Sequence, residues 1–278
     1  MNSPFVNFNG NIVLSGTPIL TWSNSIFESG LCFNVNWFAA GSKIVLYEQN
    51  LEYLKFSLAQ LQMETPEKLD FFSTKLHVEI EKVLTKNKHF QGAKVNLVFF
   101  SEQNTRKTSF VISSEKTDQA VFALNSFGFS ADVFHGFRCQ LRGGNLRNRI
   151  SPLHYLAINQ FISEHNLHEC FIVNTLGNVI ETINYSLIAI KDKKAFFITE
   201  KGKEFKSALE AETFEILKSL SLEVETIDSC LIDQLKTADE LLLVNSFQIA
   251  WILAFRERRY YSMIAKKVIQ TLNTKFLQ

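Results

Sequence analysis

The segment from Arg149 to Glu181, RISPLHYLAINQFISEHNLHECFIVNTLGNVIE, restricts the fold more than any other part of the chain. Leu153, Leu156, Ala157, Phe161 and Ile162 recur at helical spacing, whereas Phe171 and Val173 alternate with their neighbours. Leu176-Gly177-Asn178 then turns the chain back toward Glu181. The pattern predicts a loop, an amphipathic helix and a hairpin whose second strand delivers a carboxylate. The two ends of the segment are expected to meet in space.

With 278 residues and 46% hydrophobic content, the chain has room for about two domains with a real core. Lys and Arg number 29 against 28 Asp and Glu, a net charge of +1 without blocks of one sign, which argues against a nucleic-acid surface or a polybasic membrane patch. Cys32, Cys139, Cys170 and Cys230 are scattered, with no CxxC pair and no Cys/His cluster at zinc spacing. Reduced thiols in a cytoplasmic protein without a structural metal are the expectation. MNSPFVNFNG lacks a basic leader and an apolar core, and no apolar run reaches membrane-spanning length.

Asn9-Gly10 between FVNF and NIVLS is a hairpin signal, and NVNWF followed by Gly41 and KIVLYE predicts a second hairpin. From Gln49 the pattern is helical, with Leu51, Leu54, Leu58 and Leu61 on one stripe. Thr65-Pro66-Glu67 starts a further helix whose buried face is Leu69, Phe72, Leu76, Ile80 and Val83, ending near Lys86. VNLVFF and TSFVIS read as strands around a polar turn at 103–107. Residues 125–148 show no sustained period and read as a connection between domains at 1–124 and 149–278. Arg138, Arg142, Arg147 and Arg149 lie in or beside it.

Beyond Glu181, INYSLIAI and AFFIT flank a KDKK turn, and Ser207-Ala208-Leu209-Glu210 forms a capping box for a helix carrying Phe214, Leu217 and Leu220. EVETI and LLLVNSF read as strands around the short helix LIDQLKTAD. A last helix from about Tyr260 to Phe276 turns Met263, Ile264, Val268, Ile269 and Leu272 inward. No internal repeat is visible.

Taken in order, these features resemble the class IV aminotransferase superfamily of fold-type IV pyridoxal-phosphate (PLP) enzymes, from the Asn9-Gly10 hairpin to Ser246. Branched-chain and D-amino-acid aminotransferases and aminodeoxychorismate lyases belong to it. Ile150-Ser151-Pro152-Leu153-His154-Tyr155-Leu156 is similar to the stretch in which that family carries its Schiff-base lysine, and the lysine position is Ser151. Asn50-Leu51-Glu52-Tyr53-Leu54 resembles a His-Leu-x-Arg-Leu signature whose arginine pairs with the cofactor phosphate, here Tyr53. Ser207 to Glu210 take the places of a phosphate-binding Gly-Ile-Thr-Arg stretch, with Glu210 at the arginine. Ala238-Asp239-Glu240-Leu241-Leu242-Leu243-Val244-Asn245-Ser246 is similar to a further phosphate-contacting segment, and Glu181 falls where the family keeps a glutamate against the pyridine nitrogen.

The resemblance implies a two-domain α/β (α+β) architecture of the D-amino-acid aminotransferase type, a homodimer and a pocket where the domains join. It nominates Tyr53, Tyr155, Glu181, Ser207, Ala208, Leu209 and Ser246 for the cofactor, with Ser151 and Glu181 at catalytic positions. A serine hydroxyl forms no imine and is a poor base, and tyrosine lacks the charge and fork of guanidinium. PLP is therefore expected to be absent or weakly bound. The connector arginines could replace the lost charge, Lys43 or Lys206 could stand in for the lysine, and Ser151 with His154 could form a nucleophile and base. His77, His89, His135, His165 and His168 show no ligand spacing. Two readings follow: a non-enzymatic homologue keeping a pocket for an anionic small molecule, or an active aminotransferase or 4-amino-4-deoxychorismate lyase with a rearranged site.

Overall fold

The computed structural model describes residues 3–18, 32–64, 75–101, 108–118, 120–136, 152–199 and 207–276. Ser151, Cys139, Lys206, the helix start at Thr65-Pro66-Glu67, the turn at 103–107 and the arginines Arg138, Arg142, Arg147 and Arg149 lie outside the described residues. The chain forms two compact units, Met1–Val121 and Phe122–Gln278.

In the first unit β1 (Phe5–Phe8) and β2 (Asn11–Leu14) close on Asn9 and Gly10, whose φ angles of 49° and 92° are those of a primed two-residue turn. Next come β3 (Cys32–Ala40), β4 (Lys43–Ile44), α1 (Tyr47–Gln60), α2 (Leu76–Lys86), β5 (Gly92–Ser101) and β6 (Thr108–Thr117). They build an antiparallel sheet in the order β2-β1-β6-β5-β3-β4. The second hairpin is shorter than KIVLYE suggested, because Leu46 turns left-handed at φ 57° and the helix starts at Tyr47. Leu51, Leu54 and Leu58 of α1 and Leu76, Ile80 and Val83 of α2 form one core with Trp37, Val95 and Leu97 of the sheet.

The second unit holds β7 (Phe129–Phe134), α3 (Pro152–Glu164), β8 (Glu169–Val173), β9 (Val179–Thr182), β10 (Ser186–Lys191), β11 (Lys194–Ile198), α4 (Ala208–Ser219), β12 (Glu223–Ile227), α5 (Ile232–Thr237), β13 (Glu240–Val244), β14 (Ile249–Phe255), β15 (Arg258–Arg259) and α6 (Met263–Phe276). Its path is β12-β11-β10-β13-β14-β7-β8-β9, with β15 on β14. The chain runs from β9, last on that path, straight into β10, third on it, so the sheet curls on itself.

Three sequence readings are corrected here. The supposed connection at 125–148 contains β7, which pairs in parallel with both β14 and β8. The final helix begins at Met263, and Met263 is exposed while Val268 and Leu272 are buried. Helix α3 buries Ile158 and leaves Leu153 76% and Leu156 63% exposed, so its inward stripe is rotated from the one expected. Among the described residues no helix is long and apolar enough to cross a membrane.

Candidate functional site

Glu181 sits on β9 opposite Ile172 of β8. Strand β8 is buried on both faces: Phe171 and Val173 enter one core, while Cys170 and Ile172 enter another with Ile158 of α3, Ile180 and Ile183. Tyr155 packs against that second cluster. Opposed residues of a ladder share a face, so Glu181, 2% exposed, and Tyr155 belong to the same side of the hairpin.

After Glu181 the chain turns a corner at residues 183–185, fixed by Thr182. Its Oγ donates to the Tyr185 carbonyl at 2.9 Å and accepts from the Tyr185 N–H at 3.0 Å. The Tyr185 hydroxyl accepts from Gln248 Nε2, and burial holds the phenol well above its ordinary range. Gln248 closes the β13–β14 loop, where Asn245 Oδ1 accepts from the Phe247 and Gln248 N–H groups at 3.0 Å each. Partly buried Ser246 is at the tip of that loop. The corner that follows Glu181 and the loop that carries Ser246 are thus bonded neighbours.

Ser207 caps α4: its backbone is extended and its Oγ accepts from the Glu210 N–H at 3.2 Å. Ala208, Leu209 and Glu210 are buried, Glu210 to 1% exposure. Ser186 pairs with Val244 and Leu187 with Ile198. The corner after β9, the loop after β13 and the chain leaving β11 toward Ser207 therefore emerge at one end of the sheet. Tyr53 lies on α1 of the first unit, partly buried, its carbonyl accepting from Ser57 Oγ at 2.8 Å. Lys43 and His154 are exposed.

Two buried carboxylates had drawn no attention in the sequence. Glu169 opens β8 and accepts from the Cys170 N–H at 3.0 Å and from Asn184 Nδ2 at 3.3 Å. Glu240 opens β13 and accepts from the Ile264 and Ala265 N–H groups at the start of α6. A signal existed: Glu169-Cys-Phe-Ile-Val-Asn174 and Glu240-Leu-Leu-Leu-Val-Asn245 share their ends and length. In both, a buried Glu starts the strand and an Asn side chain shapes the turn behind it. Among the described residues no group of His, Cys, Asp and Glu could hold a metal ion.

This architecture is that of the fold-type IV PLP enzymes, the class IV aminotransferases and aminodeoxychorismate lyases. The branched-chain amino acid aminotransferase of Escherichia coli superposes with a TM-score of 0.78 at 15% identity, over 99% of this chain and 95% of the other. A T.th. branched-chain amino acid aminotransferase complexed with N-(5'-phosphopyridoxyl)-L-glutamate gives 0.75 at 14% identity, over 98% and 93%. A Legionella pneumophila protein assigned as a 4-amino-4-deoxychorismate lyase gives 0.73 at 14%, over 94% and 96%. No family model matches the chain, and no curated protein matches it.

Proposed function

We propose that the chain is a cytoplasmic, homodimeric, non-enzymatic homologue of these enzymes, in which the PLP site has degenerated while a pocket for an anionic small molecule is kept. One observation carries this reading: Glu210, at the helix end where the resemblance places a phosphate-holding arginine, is a buried acid. A helix N-terminus attracts anions through its free N–H groups, but here Ser207 Oγ engages the Glu210 N–H, and the residue carries an acid where the resemblance places an arginine. The guanidinium that would hold a phosphate there is missing. With serine at 151 and tyrosine at 53, neither the imine nor the guanidinium contact is available, so the residues present do not fit tightly held PLP.

The arginines at 138, 142, 147 and 149 support a surviving anion pocket, since they precede or adjoin Ser151 and guanidinium binds carboxylates in bidentate fashion. Exposed Leu153 and Leu156, three residues apart on α3, support a dimer. The rival reading, an active enzyme with a rearranged site, draws on Glu181, which is kept on the Tyr155 face. Titration of the purified chain with PLP, followed by visible absorption, separates them. No imine band is expected, together with thermal stabilisation by dicarboxylates; a saturable imine band would establish the rival.

A further inference from the structure

Glu169 opens β8 inside a shell made of hydrogen-bond donors. Its carboxyl takes the Cys170 N–H at 3.0 Å and Asn184 Nδ2 at 3.3 Å, and the Ile183 and Asn184 N–H groups also bond to it. All but the first belong to the corner at 183–185 that joins β9 to β10. Among the described residues no cation pairs with this buried acid, and Asp132 of the neighbouring β7 is taken by Arg256. From β7 Glu169 meets Ala131 across the ladder, and from the corner Asn184 and Tyr185. The titratable groups it acts on are the Cys170 thiol and the Tyr185 phenol, held up first by burial and then by the Glu169 charge. Cys230 and Tyr260, deeper in the core on this face of β8, are held up by burial too. The His168 ring is engaged by Ser130 Oγ at 2.9 Å and stacks on Phe129.

A carboxylate sealed from water without a cation keeps its proton, and here burial outweighs the donors and raises the carboxyl to about 7. The corner is its way out. Cys170 and Ile183 are buried, whereas Asn184 is exposed, so lifting residues 183–185 brings water to the acid and returns it toward its ordinary range. Linkage fixes the sign: proton loss favours the lifted corner, so its opening constant climbs about tenfold per pH unit from 4.5 and levels at about 7. The corner is also tied to a second segment. The Tyr185 hydroxyl accepts from Gln248 Nε2, and the Phe247 and Gln248 N–H groups donate to Asn245 Oδ1 around Ser246.

We propose that residues 183–185 form a proton-locked flap, shut while Glu169 holds its proton and lifted when it does not, and that the Tyr185–Gln248 bond carries the movement to the Ser246 loop. The flap stands apart from the PLP reading, because it is tested without any ligand. Hydrogen exchange of the full chain between about pH 5.5 and 8, read by mass spectrometry and corrected for the intrinsic pH dependence of exchange, tests it. In the wild type, protection of the amides of residues 183–185 falls at least about tenfold across that range, and the loop at 245–248 follows. The amides of Leu241, Leu242 and Leu243 in the buried strand β13 stay at least about tenfold better protected throughout. Glu169→Gln makes protection of the corner independent of pH. Tyr185→Phe keeps the pH response at the corner and removes it from the loop. Protection of the corner that is flat in the wild type, that still falls in Glu169→Gln, or that only matches β13 overturns the flap, and a loop response that survives Tyr185→Phe overturns the coupling. If Glu169→Gln does not fold, Glu169→Leu takes its place, and a pH response that persists in it overturns the flap equally.

Discussion

Asn184 donates from its side-chain amide to the Glu169 carboxylate at 3.3 Å, and that carboxylate is wholly withdrawn from solvent. Burial raises its pKa from 4.5 to about 7, against the opposing pull of hydrogen bonds from Cys170, Asn184 and Ile183. The folded chain therefore keeps Glu169 protonated at pH values where the unfolded chain has released the proton. Below 4.5 both states are protonated and no penalty arises; as pH rises to about 7 the fold loses stability, and above that the loss is constant. The loss is about 3 kcal/mol. Glu169→Gln abolishes this titration, so its stability relative to wild type should climb by about that amount between pH 4.5 and 8 in urea melts. A difference that stays flat across the range contradicts the assignment.

Glu240 anchors the last helix, accepting from the Ile264 N–H at 2.9 Å and the Ala265 N–H at 3.2 Å where the helix dipole is positive. Glu240→Ala should cost about 2 kcal/mol and lower the melting temperature by about 5 °C. Glu240→Gln keeps one accepting oxygen and should recover part of the loss. Equal melting temperatures for wild type and the alanine variant would remove the capping role.

The first hairpin depends on backbone that ordinary side chains resist. Gly10 has φ +92°, and Asn9 Oδ1 accepts from the Phe110 N–H at 2.8 Å, tying the turn to β6. Gly10→Val should destabilise the chain by about 1–2 kcal/mol through strain at positive φ. Its denaturation midpoint should fall with an unchanged slope. An unchanged midpoint would mean that the turn does not hold the sheet edge.

Much of this arrangement was legible before any coordinates. Asn9-Gly10 announces its turn because few other pairs accept two positive φ angles, and the Leu51, Leu54, Leu58 stripe marks a helix because one face alone is apolar. The strands β7 and β14 were not legible, for a physical reason. IAWILAF is apolar at every position and offers no alternation, while the alternation of FSADVF is short and lies in a stretch otherwise rich in Gly, Ser, Arg and Asn. Helix α3 was read with the wrong edge inward, because its apolar positions spread over more than one face and spacing alone does not choose between Ile158 and Leu156. Glu181 was placed on its strand by the Gly177 turn, whereas Glu169 and Glu240 passed as ordinary strand starts because their partners come mostly from backbone and side-chain groups that no spacing rule points to.

The central claim, that no side chain here forms an imine with PLP, is tested most directly by intact mass after incubation with PLP and reduction by borohydride. Lost imine chemistry predicts a chain whose mass is unchanged at PLP concentrations that fully label a fold-type IV aminotransferase. Stoichiometric addition of one phosphopyridoxyl group, mapped to a single lysine, would contradict it.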